Sequence, residues 1–201
     1  MLKKYFRRGV TEAGCDEAGR GCLAGPVFAA SVILPEKIKS VLKKMDDSKK
    51  LSDKQRRELK VAIEGEALSW SVASCTHEEI DSINILNASF QSMNRAVGQL
   101  VVKPQLLLID GNRFKTHFDI PYRCIVKGDA KFMSIAAASI LAKTYRDDFM
   151  LALHEQFPQY RWNENKGYAT ESHRRAILET GFSPFHRKSF HIQEEQLVME
   201  F

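Results

Sequence analysis

The sequence predicts an α/β domain built on one mixed β-sheet with helices packed on its faces. Short apolar runs typical of strands come early in the chain and then alternate with segments of helical periodicity. One run, PVFAASVIL at 26–34, is continuous enough to be buried on both faces, as in the middle of such a sheet. With 201 residues, 44% of them hydrophobic, the chain can bury the core of one domain.

Five strands are predicted, each from an apolar or alternating run. The first closes on two adjacent acids, and the third, LSWSVASC, alternates in polarity. The fourth, QLLLID, is apolar on both faces, which is typical of a buried strand. In chain order the predicted strands cover 10–16, 26–34, 68–75, 105–110 and 122–126.

Helices are predicted where apolar residues recur at helical spacing or where a capping pattern begins. Ser52 with Gln55, and Thr76 with Glu79, each have the residue types and spacing of a capping box, in which two side chains satisfy the first backbone amides of a helix. A proline cannot continue a helix, so Pro158 is expected to end the longest one. Besides the helix start at Thr76, the predicted helices cover 53–64, 83–101, 131–157 and 170–179.

Composition excludes some classes of protein. The 30 Lys and Arg residues against 25 Asp and Glu give a net charge of +5, which permits a nucleic-acid partner. No apolar run is long enough to cross a bilayer, and no hydrophobic segment follows the basic start, so neither a membrane partner nor a secretory signal is expected. The four cysteines lack metal-binding spacing, which predicts reduced thiols and a cytoplasmic protein.

Four acids stand near predicted strand ends or before the longest helix. Asp16 and Glu17 close the first strand, Asp110 ends the fourth, and Asp129 precedes the helix. In α/β sheets, ligands collect beyond the carboxyl ends of the strands. Carboxylate oxygens suit Mg²⁺, and two such ions about 3.5–4 Å apart would activate a water and stabilise the leaving oxygen in phosphodiester cleavage.

Each acid also has a simpler explanation. Asp110 with Gly111 is a common turn dipeptide, and Asp129 could be the N-cap of the long helix. Side chains alternate on a strand, so Asp16 and Glu17 share one site only if the chain bends there, which the following glycines permit.

A glycine-rich stretch, GRGCLAG at 19–25, follows the acidic pair. It loosely matches the dinucleotide-binding pattern G-x-G-x-x-A, but that pattern opens a helix, whereas a proline and a strand-like run follow here. A dinucleotide site is therefore rejected. Glycines beside two acids instead allow a bulky polyanion to approach the backbone closely.

Taken together, the motifs resemble bacterial type 2 ribonuclease H, or ribonuclease HII. The likeness runs in order over about 10–190, nearly the whole chain, and the ordered set is far more specific than any one motif. It rests on GCDEAGRG at 14–21, DSKKLS at 47–52, IDGN at 109–112, KGD at 127–129, AASILAK at 137–143 and KGY at 166–168.

This resemblance implies a ribonuclease H-like fold, with a central five-stranded mixed sheet flanked by helices, in one catalytic domain over 1–201. Residues 158–201 would form a helical, substrate-contacting extension. The implied reaction is hydrolysis on the 5′ side of a ribonucleotide in duplex DNA or in an RNA·DNA hybrid, giving 3′-hydroxyl and 5′-phosphate ends. Ribonucleotide excision repair and primer removal would be its roles, and a monomer is expected.

The resemblance also implies roles for individual residues. The family's catalytic, metal-binding acids correspond to Asp16, Glu17, Asp110 and Asp129, with Mg²⁺ or Mn²⁺ as cofactor, two ions per site. Gly19, Arg20 and Gly21 correspond to the loop that reads the ribose 2′-hydroxyl through its backbone. Tyr168 corresponds to a tyrosine that packs on the deoxyribose to the 3′ side; its alternative is the role of an interfacial core tyrosine. Phosphate contacts are implied for Ser48, Lys49, Lys50, Lys143 and Lys166.

Some features leave alternatives open. Cys22 and Ala169 stand where the family usually has proline, which is expected to loosen two loops and affect junction stringency. The stretch His186-Arg187-Lys188 resembles a basic segment at the family's end, with a solvated tail as the alternative.

Rival functions are a type 3 ribonuclease H, which shares the acidic site but prefers longer hybrids, and a non-catalytic nucleic-acid-binding module. The intact GRG motif argues against the first. Clustered acids argue against the second, because a module that only binds phosphates gains nothing from them.

Overall fold

The computed structural model describes residues 2–38, 41–45 and 51–190, which form five strands and six α-helices. The strands are β1 Glu12–Ala18, β2 Val27–Ile33, β3 Ser69–Cys75, β4 Leu106–Asp110 and β5 Tyr122–Ile125. The helices are α1 Asp53–Glu66, α2 His77–Ile83, α3 Ile85–Gly98, α4 Met133–Gln156, α5 Trp162–Asn165 and α6 Glu171–Thr180.

The strands form one mixed sheet in the order β3-β2-β1-β4-β5. The first three strands pair antiparallel, whereas β4 pairs parallel with β1 and β5 pairs parallel with β4. Parallel neighbours need a crossover rather than a tight turn, and the chain supplies long connections before β4 and β5. The predicted five-stranded mixed sheet with flanking helices is confirmed.

One helix covers each face of the sheet around its centre. On one face, Phe90, Met93 and Val97 of α3 pack against Cys15 and Ile109. On the other face lies α4, whose alanine-rich first half allows a close approach. An added Cβ at Gly14 would lie only 2.2 Å from the backbone of Ser134, so only glycine fits at that crossing. Alternation along β1 and β4 therefore turns the residues next to Cys15 and Ile109 toward α4.

A third apolar cluster lies beyond the sheet, between the end of α4 and the C-terminal segment. It joins Leu23 and Ala24, which follow β1, to Met150 of α4 and to the aromatic rings of Tyr160 and Trp162. Those two rings are buried, although they alternate with cations in the sequence. The cluster fixes residues 158–190 against the loop that follows β1.

The helix ends follow the local sequence closely. Both capping boxes form as predicted, and α4 ends just before Pro158. The helix predicted over 83–101 is shorter because Asn84 breaks it with a positive φ of 65° and separates α2 from α3. The side chain of Asn84 then caps α3 by accepting the Asn87 N–H at 3.1 Å.

All four cysteines are free thiols, and three of them are buried. Burial raises the pKa of the Cys15 thiol to about 12 and that of Cys75 to about 11, so both stay protonated and serve as small core residues. None of the helices in the described ranges is long and apolar enough to span a membrane.

Candidate active site

The carboxyl ends of β1 and β4 bring two acids side by side. In the parallel register Cys15 lies opposite Ile109, so the next residues, Asp16 and Asp110, leave the sheet together toward α4. Asp16 is only 5% exposed. Its Oδ1 accepts the Glu17 N–H at 2.7 Å, and its carboxylate also hydrogen-bonds the Ser139 side chain of α4.

The structure excludes a hairpin turn at Asp110 and an N-cap role for Asp129. Asp110 is not in a hairpin turn, because β5 runs parallel to β4. Its Oδ1 accepts the Gly128 N–H at 2.6 Å, which ties the end of β4 to the turn that carries Asp129. Asp129 is not the N-cap of α4: that position is Phe132, and the Asp129 carboxylate accepts the Ala130 N–H at 3.0 Å.

Glu17 follows Asp16 without a bend in the strand. β1 keeps its register with β2 through Ala18, so the bend expected from the nearby glycines comes only at Gly19. Because side chains alternate along a strand, the Glu17 side chain lies on the face of the sheet opposite to that of Asp16. The charge of Asp110 still reaches it and raises its pKa.

The electrostatics of these acids favour a bound cation. Burial raises the pKa of Asp16 well above its usual range, and the charges of Glu17 and Asp110 raise it further, against the hydrogen bond from Ser139. Burial also raises the pKa of Glu17, opposed mainly by the Arg20 guanidinium, 3.1 Å from Glu17 Oε1. Keeping these carboxylates ionised together is therefore costly unless positive charge is added.

The donor set fits a hard divalent cation. Within residues 2–38, 41–45 and 51–190, no three Asp, Glu, His or Cys side chains stand close enough to hold an ion as they are. Asp16, Glu17 and Asp110 nevertheless act on one another electrostatically, and all three offer oxygen. Oxygen ligands suit Mg²⁺ and Mn²⁺, whereas zinc sites draw mainly on nitrogen and sulfur.

The glycine loop at 19–25 begins where β1 ends. Gly19 has a φ of +94°, and a Cβ there would lie 2.0 Å from Nε of Arg146. Both the backbone conformation and the lack of space therefore require glycine. A Cβ at Gly21, in contrast, would meet nothing within 4 Å. Arg20 and Gly21 are exposed while Gly19 is buried. β2 follows the loop instead of a helix, in agreement with the rejection of a dinucleotide site.

Two buried arginines support this loop: Arg146, which sequence reasoning missed, and Arg187, which it placed only in a basic segment. The Arg146 guanidinium of α4 donates to the backbone carbonyls of Ala24, Pro26 and Lys166 at 2.8–3.2 Å. The Arg187 guanidinium donates to other loop carbonyls. Both residues are only 1% exposed. The local sequence carries no signal for this, because charged residues are usually exposed and the partners lie far away in the chain.

The burial of His186 and Arg187 contradicts the solvated-tail alternative for this segment. Lys188 alone is exposed, and its backbone N–H donates to the Asp81 carboxylate at 2.9 Å. The segment is therefore part of the scaffold behind the glycine loop.

Tyr168 lies beside the glycine loop at the surface. It is 41% exposed, unlike the buried Tyr160, and forms an isolated antiparallel bridge with Cys22. The Arg146 guanidinium lies 5.7 Å from the centre of the Tyr168 ring, within cation–π range. The ring therefore lies at the boundary between core and surface, which also fits an interfacial core tyrosine.

A chain of buried hydrogen bonds holds the Tyr168 backbone. The Ser183 N–H donates to Nδ1 of His186, so Nε2 of His186 carries the proton and donates to Nε2 of His173 at 3.1 Å. The Trp162 Nε1–H donates to that same nitrogen at 3.0 Å. His173 therefore carries its proton on Nδ1 and donates it to the Tyr168 carbonyl at 2.9 Å.

The predicted phosphate contacts are only partly described. Lys143 of α4 is 3.3 Å from the Asp147 carboxylate, and the Lys166 carbonyl accepts from Arg146 next to the glycine loop. Ser48, Lys49 and Lys50 lie outside the described residues.

Comparison with known proteins agrees with this geometry. The sequence profile of a family described as Ribonuclease HII matches residues 13–193. Ribonuclease HII of Bacteroides thetaiotaomicron is 59% identical over 192 residues, covering 96% of this chain and 95% of the relative. Ribonuclease HII of Parabacteroides distasonis is 57% identical over 201 residues, covering 100% of both chains.

Solved structures of similar fold include ribonuclease H2 from Pyrococcus horikoshii, with a TM-score of 0.75 and 26% identity over 90% of this chain and 93% of that one. The Mn²⁺ complex of Bst-RNase HIII has a TM-score of 0.66 at 18% identity, covering 86% of this chain and 63% of that one, and shows a shared fold alone. From the profile match and the near full-length relatives, the chain belongs to the ribonuclease HII family and is a hydrolase, an endonuclease of the ribonuclease H type.

Proposed function

We propose that the protein hydrolyses the phosphodiester on the 5′ side of a ribonucleotide embedded in duplex DNA or in an RNA·DNA hybrid, leaving 3′-hydroxyl and 5′-phosphate ends. The observation that supports this proposal is the order of groups at the end of β1, where the glycine loop follows directly after the acids. The exposed backbone at Arg20 and Gly21 lies only three to four residues beyond Glu17. A sugar bound by this loop would therefore have a neighbouring phosphate close to the acids, and the family resemblance assigns this phosphate to the 5′ side.

Asp16, Glu17, Asp110 and Asp129 are the proposed catalytic acids and would hold Mg²⁺ or Mn²⁺, two ions per site. Bound cations would supply an activated water and stabilise the leaving oxygen. The role of the protein's own residues is to hold the carboxylates in place. Asp16 is fixed by the Glu17 N–H and by Ser139, and Asp110 is fixed by the Gly128 N–H.

Recognition of the ribonucleotide would depend on the backbone of Gly19, Arg20 and Gly21. The 2′-hydroxyl is the one group that separates a ribose from the deoxyriboses around it. Tyr168, exposed beside the loop, would pack on the deoxyribose that follows and so favour an RNA-to-DNA junction.

The wider substrate contacts follow from the same placement. Lys143 and Lys166, with Ser48, Lys49 and Lys50, would bind phosphates and add affinity that weakens with salt, without reading the sequence. Residues 158–201 would be the substrate-contacting extension of one catalytic domain. The proposed cellular roles are ribonucleotide excision repair and primer removal by a monomer in the cytoplasm, which suits its four free thiols.

One gel tests the proposal. An end-labelled DNA duplex carrying a single ribonucleotide is incubated with Mg²⁺, with Mn²⁺ and with EDTA. We expect a metal-dependent cut directly 5′ of the ribonucleotide. Cleavage of a long RNA·DNA hybrid alone would contradict the single-ribonucleotide reading and favour type 3 behaviour. Binding without any cleavage would overturn the catalytic role of the acids.

A further inference from the structure

Arg187 holds the glycine loop from its buried side. Its guanidinium donates to the backbone carbonyls of Gly19 at 2.7 Å, Arg20 at 2.9 Å and Gly25 at 3.0 Å. All three bonds are made by one planar side chain that is 1% exposed. The carbonyls of two successive loop residues therefore point inward, toward the same cation.

This arrangement decides where the loop amides point. In a trans peptide the carbonyl of one residue and the N–H of the next point in opposite directions, and the described part of the chain has no cis peptide. Because the Gly19 and Arg20 carbonyls face Arg187, the N–H groups of Arg20 and Gly21 face outward. Neither N–H donates to any residue that the structure describes, and both residues are exposed.

We infer that Arg187 is a specificity-determining positioning residue, which aims the N–H groups of Arg20 and Gly21 as paired donors at the oxygen of a ribose 2′-hydroxyl. The inference rests on the proposed function and adds the side chain that prepares the loop for it. A deoxyribose has no oxygen at that position, so the two donors would lose their partner. Sites built to bond a hydroxyl reject analogues that lack it.

The role requires arginine rather than any cation. A guanidinium presents five donors in a rigid fork and can bond three carbonyls in fixed directions, whereas an ammonium is a compact charge on a flexible stem. Lysine at 187 would keep the positive charge and lose this geometry. The exposed neighbour Lys188 offers the converse control, since Lys188→Ala removes a positive charge from the same segment without touching the loop carbonyls.

The test measures binding without cleavage. Fluorescence anisotropy in EDTA gives the affinities for two labelled duplexes of one sequence, with and without a single ribonucleotide. Wild type should prefer the ribonucleotide duplex. In Arg187→Lys that preference should fall about tenfold or to unity, the scale of one lost hydrogen bond to a charged or preorganised site. Affinity for the all-DNA duplex should change less than about twofold. Lys188→Ala should weaken both duplexes equally.

The outcomes separate the two levels of the proposal. No preference in wild type would count against the proposed reading of the ribose itself. A folded Arg187→Lys that keeps the full preference would overturn the role of Arg187. If that variant does not fold, the wild-type protein decides the matter by NMR. The amide signals of Arg20 and Gly21 should shift with the ribonucleotide duplex more than with the DNA duplex, and equal responses would overturn the inference.

Discussion

Gly19 and Gly21 differ in the space that a side chain would find, so a substitution at the first tests stability and one at the second tests activity. Gly19→Ala introduces a Cβ 2.0 Å from Arg146 at a positive φ, so we expect a loss of about 1–3 kcal/mol in the free energy of unfolding. Gly21→Ala meets no atom within 4 Å, so it should fold like wild type. Its methyl group would stand on the substrate side and lower cleavage of a single-ribonucleotide duplex about tenfold or more.

Urea unfolding and initial cleavage rates, measured on both variants, check this pair. A fully active Gly21→Ala would remove that position from the substrate surface. A Gly19→Ala as stable as wild type would show that Arg146 and the loop can rearrange at little cost.

Removing the charge of Asp16 should stabilise the metal-free protein. Burial and two neighbouring acids raise its pKa, so Asp16→Asn relieves repulsion and should raise the metal-free stability by roughly 1 kcal/mol. The same change should abolish cleavage and reduce the rise in melting temperature on adding Mg²⁺ or Mn²⁺. Thermal melts with and without cation measure this. Asp119→Asn, at an exposed loop position, is the matched control, and an equal response of the two variants would contradict a metal-binding role for Asp16.

At the scale of elements, hydrogen bonds through the imidazoles of His173 and His186 join α5, α6 and the segment after α6, and both rings must stay neutral. Burial, and then the nearby His173, lowers the pKa of His186 to about 4, and burial lowers that of His173. Protonating His173 at Nε2 would place two donors face to face across the 3.1 Å His173–His186 contact, and protonating His186 at Nδ1 would place two donors face to face between that ring and the Ser183 N–H. The orientation of Tyr168 therefore depends on the uncharged form of both rings.

This network predicts a loss of stability in acid. The unfolded chain binds a proton at His186 below its ordinary pKa of about 6.5, whereas the folded protein does so only near pH 4. The contribution is therefore fully present above about pH 6.5 and lost as pH falls toward 4, up to about 3 kcal/mol. Urea midpoints between pH 7 and pH 4 should fall less steeply for His186→Gln than for wild type. The exposed His117→Gln should keep the wild-type slope, and parallel curves for all three proteins would refute the role of His186.

Elements with local signals could be predicted from the sequence. The capping boxes at Ser52 and Thr76 depend on contacts three residues apart, and the strand runs depend on burial patterns along a few residues. The break at Asn84 was missed because apolar spacing continues through it, and only the left-handed backbone reveals it. The acids were predicted as a group, but the absence of a bend before Gly19 depends on the register with β2.

At the scale of the whole molecule, the candidate site is assembled from distant parts of the chain. The glycine loop lies near the start, Asp110 in the middle and Tyr168 in the last fifth of the sequence. Arg146 and Arg187 bond carbonyls 120 to 168 residues earlier in the chain. No local pattern predicts such partners, and this is why the sequence could indicate the acids but not the scaffold behind the loop.

The proposed recognition of an RNA-to-DNA junction belongs to this scale, because it would need the glycine loop and Tyr168 together. Tyr168→Ala should reduce cleavage of a single-ribonucleotide duplex about tenfold more than cleavage of an all-RNA hybrid, since only the first presents an RNA-to-DNA step. Tyr168→Phe keeps the ring and removes the hydroxyl next to Cys22, so it should retain most of the discrimination. Equal losses on both substrates in Tyr168→Ala would contradict the stacking role.

The bonds from Arg146 and Arg187 to the glycine loop also bear on synthesis. Chains emerge from the ribosome amino end first, so the loop is made long before the two guanidinium groups that satisfy its carbonyls. A nascent chain can pair its first three strands while the loop remains without its supports. The glycine loop therefore receives the last of its supporting hydrogen bonds only after residue 187 has been made, when all four acids have long been translated.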